Sequence, residues 1–169
     1  MTIGLISDTH GYFDESLSEH FRSCNEIWHA GDIGNTDVIR RLKQMAPVQA
    51  VYGNIDDRKL QSTLPEYLRL EKEGVRILIT HICGSPSRYN SLVARMLDEE
   101  KPHVLICGHS HICQVKKDER HNVLFINPGA AGNQGFHTVR TVMRLELNAG
   151  RISKLEVIEL GKRGAIAPG

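Results

Sequence analysis

The chain has 169 residues, and 21 Lys and Arg against 20 Asp and Glu leave it a formal net charge of +1. This near-neutral charge and an aromatic content of 5% argue against nucleic-acid and membrane partners, which basic or base-stacking surfaces would recognise. The length suits one domain, which we expect over residues 1–160, followed by a loose tail at 161–169.

The first half of the chain alternates short apolar runs with amphipathic segments, a pattern typical of strands and helices that follow one another. We predict strands over residues 2–7, 26–30 and 48–52, and helices over 13–22 and 37–45. Asn35 is the expected N-cap of the second helix, and Pro47 prevents that helix from continuing.

Beyond Pro65 strands dominate. Tyr67, Leu68 and Leu70 predict one strand, and 75–80 a second that pairs with it around a Glu73-Gly74 turn. A helix over 89–100 and a strand over 104–107 should follow, and four consecutive antiparallel strands are then expected at 113–117, 123–127, 138–147 and 152–160. This order predicts an α/β fold in which two sheets pack together with helices outside.

Polar residues follow five of the predicted strands, at the end where open α/β sheets place their ligands. They are Asp8, His10, Asp32, Asn54, His81, His109 and His111. Two carboxylates, one amide oxygen and four imidazoles suit two borderline divalent ions better than calcium, with Mn favoured and Fe, Zn or Ni as alternatives. Two such ions against two carboxylates leave a net positive cavity that would attract a phosphate.

These residues form ordered motifs: Asp-x-His, Gly-Asp, Gly-Asn-x-Asp, a strand-end His, Gly-His-x-His and Asn-Pro-Gly. With them the chain resembles the calcineurin-like metallophosphoesterases, specifically their small bacterial and archaeal phosphodiesterase branch. The resemblance runs from Asp8 to about Gly129. It implies a four-layer α/β/β/α sandwich in which two mixed sheets are flanked by helices.

The resemblance also implies two metal sites that share one carboxylate. One metal would be held by Asp8, His10, Asp32 and His111, and the other by Asp32, Asn54, His81 and His109. A hydroxide bridging the two metals would attack the phosphorus of a small phosphate diester in line, with Asn54, Asp32 and His109 as the catalytic residues.

One position departs from the broader family. Many members have a His after the Gly-Asn pair, where it is thought to protonate the leaving oxygen, but Ile55 stands there in this chain. A general acid contributes a factor of about 10² to 10⁴, so its loss should penalise poor leaving groups most. Asp56 and Asp57 are the nearby groups that could assist.

Two other functions stay open. A non-catalytic protein-binding scaffold, resembling the retromer subunit of this fold, would expose a large apolar patch. A structural metal domain would have a closed site. The roles of three further residues are also open, since His137 could contact substrate, and Arg88 and Arg140 could bind phosphate or lie on the surface.

Cysteine spacing and apolar run lengths predict a cytoplasmic protein. The four cysteines form neither a Cys-x-x-Cys pair nor a disulfide-like frame. The apolar segment at 2–7 is too short for a signal peptide, and no stretch approaches the length of a membrane span. A homo-oligomer is compatible with the sequence, which leaves the oligomeric state, the native metal and the physiological substrate open.

Overall fold

Within residues 1–164, the part of the chain that the computed structural model describes, there are twelve β-strands and four α-helices. The strands are β1 Thr2–Ile6, β2 Glu26–His29, β3 Val48–Ala50, β4 Tyr67–Lys72, β5 Val75–Thr80, β6 Gly84–Ser85, β7 Arg88–Tyr89, β8 Val104–Ile106, β9 Cys113–Asp118, β10 Val123–Pro128, β11 Val139–Asn148 and β12 Arg151–Lys162. The helices are α1 Leu17–His20, α2 Thr36–Lys43, α3 Arg58–Thr63 and α4 Ser91–Glu100.

Ten of these strands form two mixed sheets of five strands each. Sheet A has the order β12-β11-β1-β2-β3, with β1, β2 and β3 parallel to one another and β11 antiparallel to β1. Sheet B has the order β4-β5-β8-β10-β9, with β5, β8 and β10 parallel. Each sheet therefore contains three neighbouring parallel strands, whose C-terminal ends lie at a common edge.

The two sheets pack face to face, and helices cover both outer faces. One apolar core lies between the sheets and contains Ile3 from sheet A and Ile79 from sheet B. A second core joins sheet A to α1, α2 and α3, and a third joins sheet B to α4. The α/β/β/α sandwich with two mixed sheets is thus confirmed, because alternate residues of strands such as β5 point into different cores.

The helices differ from the sequence prediction where polar side chains bind the backbone. Helix α1 has only four residues, since Asp14 accepts hydrogen bonds from the amide and hydroxyl of Ser16 and holds a turn instead. Helix α3 was not predicted; it buries only Leu60, too little for a periodic pattern, and is capped by Asp57.

The caps of the longer helices follow simple rules. Asn35 caps α2 as predicted, because its side chain accepts from the amide of Val38 at 3.2 Å. Asn90 caps α4 in the same way, so that helix begins two residues later than expected. No helix within residues 1–164 is long and apolar enough to cross a membrane.

The late strands do not form one antiparallel series. Strands β9 and β10 pair in sheet B, whereas β11 and β12 pair in sheet A, so β10 and β11 are not neighbours in a sheet. Strand β12 also continues to Lys162, two residues into the segment expected to be a loose tail. The last part of that segment, 165–169, lies outside the described residues.

Candidate metal centre

The loops that follow the parallel strands of both sheets meet at one edge of the sandwich. On the side of sheet A, the loops after β1 and β2 are joined, because the amides of Asp8 and His10 donate to the carbonyls of Gly31 and Asp32, each at 3.0 Å. Between the sheets, the amide of His109 donates to the Asp8 carboxylate at 3.1 Å. These bonds join the predicted ligands of different strands into one compact site.

The first group of ligand atoms comes from Asp8, His10 and His111, and these atoms all lie within 4.8 Å of one another. The Nε2 atom of His111 is 3.1 Å from Asp8 Oδ1 and 3.3 Å from His10 Nε2. Two ligands that are each about 2.1 Å from one ion lie roughly 3.0 to 3.4 Å apart, so these spacings fit a bound dication.

The second group comes from Asp32, His81 and His109. The Nε2 atom of His81 is 3.1 Å from Asp32 Oδ1 and 3.2 Å from the side-chain oxygen of Asn54. The structure therefore brings all seven predicted residues together, with Asn54 beside the second group. His109 and Asn54 are exposed, so this group has a side open to solvent.

Asp32 lies between the two groups. Its Oδ1 atom faces His81, and its Oδ2 atom is 3.8 Å from His10 Nε2 in the first group. One carboxylate with an oxygen toward each group is the arrangement needed for a shared ligand.

The site favours positive charge beside Asp32. Burial tends to raise the pKa of Asp32, but the hydrogen bond and charge of His81 outweigh burial and lower that pKa. Burial likewise tends to lower the pKa of His81, but Asp32 and the charge of Asp8 outweigh it and raise that pKa. A bound dication would supply positive charge at the same place and displace the proton from His81.

Hydrogen bonds determine which ring nitrogen carries the proton in two of the ligand imidazoles, His81 and His111. His81 Nδ1 donates to the Ala30 carbonyl at 2.8 Å, which leaves Nε2 to coordinate. His137 Nε2 donates to the Gly132 carbonyl at 3.0 Å, so its Nδ1 accepts from His111 Nδ1 at 3.2 Å. His111 therefore also presents an unprotonated Nε2, and the donor set fits a metal.

Five of these side chains stand on left-handed backbone, a feature that the sequence did not reveal. The φ angles are 53° at Asp8, 48° at His10, 53° at Asp32, 68° at His109 and 59° at His111. This conformation is strained for residues other than glycine, and such strain clusters at functional sites. The neighbouring loops must therefore hold these residues in place.

Two glycines are required by close contacts with the carboxylates. A Cβ atom on Gly53 would lie 2.0 Å from Asp32 Oδ1, and one on Gly108 would lie 2.7 Å from Asp8 Oδ2. Any larger residue would push these side chains out of position.

His29 of β2 is buried behind the site. The Gly31 amide donates to its Nδ1 at 3.1 Å, so its Nε2 donates to the Thr9 hydroxyl at 2.9 Å, which in turn donates to the Ile33 carbonyl. Burial lowers the pKa of His29 to about 3, which keeps the ring neutral. This chain of bonds ties the loops after β1 and β2 together.

The two aspartates beside Ile55 have structural roles. Asp56 is buried and accepts from the amides of Gly34 and Gly53 at 2.7 and 2.8 Å. Asp57 caps α3. Neither carboxylate is available as a substitute for the missing general acid.

Two arginines that were considered for phosphate binding lie elsewhere. Arg140 is buried and forms an ion pair with Asp14, so its charge is already compensated. Arg88 is exposed on β7, outside both groups of ligands.

Comparison with known proteins agrees with these features. Residues 1–150 match the model of the calcineurin-like phosphoesterase superfamily domain. A probable metallophosphoesterase of Methanocaldococcus jannaschii is 33% identical over 136 residues, covering 77% of this chain and 68% of that protein.

Two solved structures share the fold. An archaeal phosphodiesterase has a TM-score of 0.73 at 23% identity, covering 95% of this chain and 100% of its own. Wild-type Vps29 of Entamoeba histolytica, complexed with Zn²⁺, has a TM-score of 0.73 at 17% identity, covering 95% and 99%. At these identities the likeness shows the fold alone.

Proposed function

Because the chain belongs to the calcineurin-like phosphoesterase superfamily, we propose that it is a dinuclear-metal phosphodiesterase that acts on a small diester. The observation that carries this proposal is the position of Asp32, with one oxygen toward each ligand group. The archaeal phosphodiesterase of the same fold supports a diester substrate. We further propose Mn²⁺ as the working ion, with Fe, Zn or Ni as alternatives.

The two ions, when bound, would lower the pKa of a water to make it a nucleophile and would offset charge on the phosphoryl oxygens. Asp32 would hold both ions at a fixed separation. Asn54, which is exposed, can donate an amide hydrogen to a phosphoryl oxygen, and His109 lies on the same open side. These three residues are the proposed catalytic residues.

The environment of Ile55 limits the leaving group. Its side chain has no proton to donate, and the carboxylates of Asp56 and Asp57 are engaged by backbone amides. We therefore expect efficient cleavage only where the leaving oxygen is a good leaving group, such as a nitrophenolate.

The test is turnover of bis(4-nitrophenyl) phosphate by Mn-loaded protein, compared with Mn²⁺ alone and with 4-nitrophenyl phosphate. We expect diester cleavage to exceed monoester cleavage, and Asp32→Ala to lower it by about 10²-fold or more. Asp37→Ala, at an exposed aspartate of α2, is the matched control and should keep full activity. Turnover no faster than that of the metal alone would refute the proposal.

A second candidate function is a protein-binding scaffold, and exposed apolar side chains favour it. Ile55, Ile82 and Ile112 each follow a proposed ligand directly, and Phe136 lies in a loop whose Gly135 and His137 contact His111. Binding of a protein by metal-loaded chain that cleaves no phosphate ester would support this function. A purely structural metal domain is disfavoured, because the second ligand group is open to solvent.

A further inference from the structure

A pocket of about 220 Å³ opens directly beside the second ligand group. It is lined by Tyr52, Gly53, Asn54, Glu66, Thr80, His81 and Ile82. Because Asn54 and His81 belong to both the pocket and the proposed centre, a phosphate held there would direct one of its ester groups into this space. The pocket is the right size for a single ring or a short alkyl chain.

The chemistry of the lining selects among such groups. Ile82 and the half-buried Tyr52 supply apolar wall, and Ile82 keeps 42% of its surface exposed. Glu66, an exposed acidic residue, also lines the pocket, whereas no Lys or Arg of the described chain does. A second anionic group would therefore meet the charge of Glu66, and no Lys or Arg in the lining would offset that repulsion.

The surroundings of the centre are apolar as well. Six large apolar side chains are exposed in residues 1–164, and three of them, Ile55, Ile82 and Ile112, come immediately after Asn54, His81 and His111. Ile82 also lines the pocket, so exposed apolar surface lies directly beside the polar site. A ligand with a charged phosphate and an apolar substituent would match both the polar centre and the apolar surface beside it.

We propose that the centre selects phosphodiesters whose retained ester group is uncharged and apolar, an aryl or alkyl group that binds in the pocket lined by Tyr52 and Ile82. Glu66 disfavours diesters that carry a second anionic group, such as a carboxylate or a further phosphate. This specificity rests on the proposed function, since it assigns the substrate class of the same site.

The kinetic test uses three diesters with the same 4-nitrophenolate leaving group and a phenyl, methyl or 2-carboxyethyl group retained on phosphorus. We expect kcat/KM of the Mn-loaded protein to fall in that order, by about tenfold or more from phenyl to methyl. Ile82→Ala should reduce the phenyl-to-methyl ratio, and Glu66→Gln should reduce the methyl-to-carboxyethyl ratio. Val157→Ala, at an exposed apolar residue of β12, is the control and should change neither ratio.

A binding test separates this specificity from turnover. We expect diphenyl phosphate to bind the Mn-loaded protein about tenfold more tightly than dimethyl phosphate by calorimetry, and Ile82→Ala to narrow that difference. Equal affinities, or equal kcat/KM for the three diesters, would overturn the specificity and leave the proposed function intact. Tighter binding of diphenyl phosphate, together with no turnover of any of the three 4-nitrophenyl diesters, would instead refute the proposed function and support the apolar pocket.

Discussion

Replacement of His10 by glycine and by alanine measures the backbone strain in the metal centre without any assay of function. His10 has a φ of 48°, and its side chain is partly exposed. The hydrogen bond that its backbone amide donates to the Asp32 carbonyl would persist in both variants. Both substitutions remove the imidazole, so the difference between them isolates the effect of the Cβ atom.

The left-handed conformation costs a residue with a Cβ about 1 to 2 kcal/mol. Glycine avoids this cost, but its unfolded state is more flexible, which lowers the stability of a glycine variant relative to alanine by about 0.4 to 1 kcal/mol. From the midpoints of these two ranges, His10→Gly should be more stable than His10→Ala by about 0.8 kcal/mol, which raises Tm by about 2 to 3 °C in a domain of this size.

The assay is thermal unfolding of both variants in chelator, so that metal contributes nothing. The control is the same pair of substitutions at Glu99, an exposed position of the regular helix α4. There glycine should be less stable than alanine by about 1 kcal/mol, the opposite sign. If His10→Ala equals or exceeds His10→Gly in stability while the Glu99 pair behaves as expected, the backbone at His10 is not strained.

Three further predictions concern other parts of the molecule. Gly53→Ala should weaken metal binding strongly, because the new Cβ would lie 2.0 Å from Asp32 Oδ1 and 2.2 Å from the Asp32 backbone nitrogen, so the central carboxylate and its loop must shift; Gly150→Ala, which meets no atom within 4 Å, should bind metal normally in the same titration. Asp14→Asn should lower stability by about 3 kcal/mol at neutral pH, because Arg140 loses its buried partner. Burial tends to raise the pKa of Asp14, but hydrogen bonds and the Arg140 charge outweigh burial and lower that pKa in the fold; denaturant titrations should therefore show the deficit shrinking as the pH falls below 3.8, whereas a deficit independent of pH would contradict the ion pair. With a thiol reagent near pH 8, Cys113 should react in the native protein and the three buried cysteines only on unfolding; a second native-state thiol would show that the cores open.

Features encoded by neighbouring residues could be predicted from the sequence. The ligands stand where apolar runs end in polar residues, and this local signal placed Asp8 and His81 at the ends of strands, which the structure assigns to different sheets. Asn35 was likewise identified as a cap from its position alone. In these cases one segment contains the whole signal.

Features that depend on distant segments were missed. Strand β11 pairs with β1 at the other end of the chain, and no local pattern distinguishes that partner from β10. The partnership of Arg140 with Asp14 and the bonds of His29 to Gly31 and Thr9 also form only when separate elements pack. The left-handed backbone of the ligand loops has the same origin, since Asp and His are enriched in this conformation but adopt it only where neighbouring segments hold it.

Metal content at equilibrium shows whether two ions share Asp32. Protein dialysed against Mn²⁺ and analysed by inductively coupled plasma mass spectrometry should hold two ions per chain. Asp32→Ala should hold at most one, and Asp37→Ala should hold two. A wild-type content of one or none, or two ions retained by Asp32→Ala with unchanged affinity, would contradict a shared carboxylate.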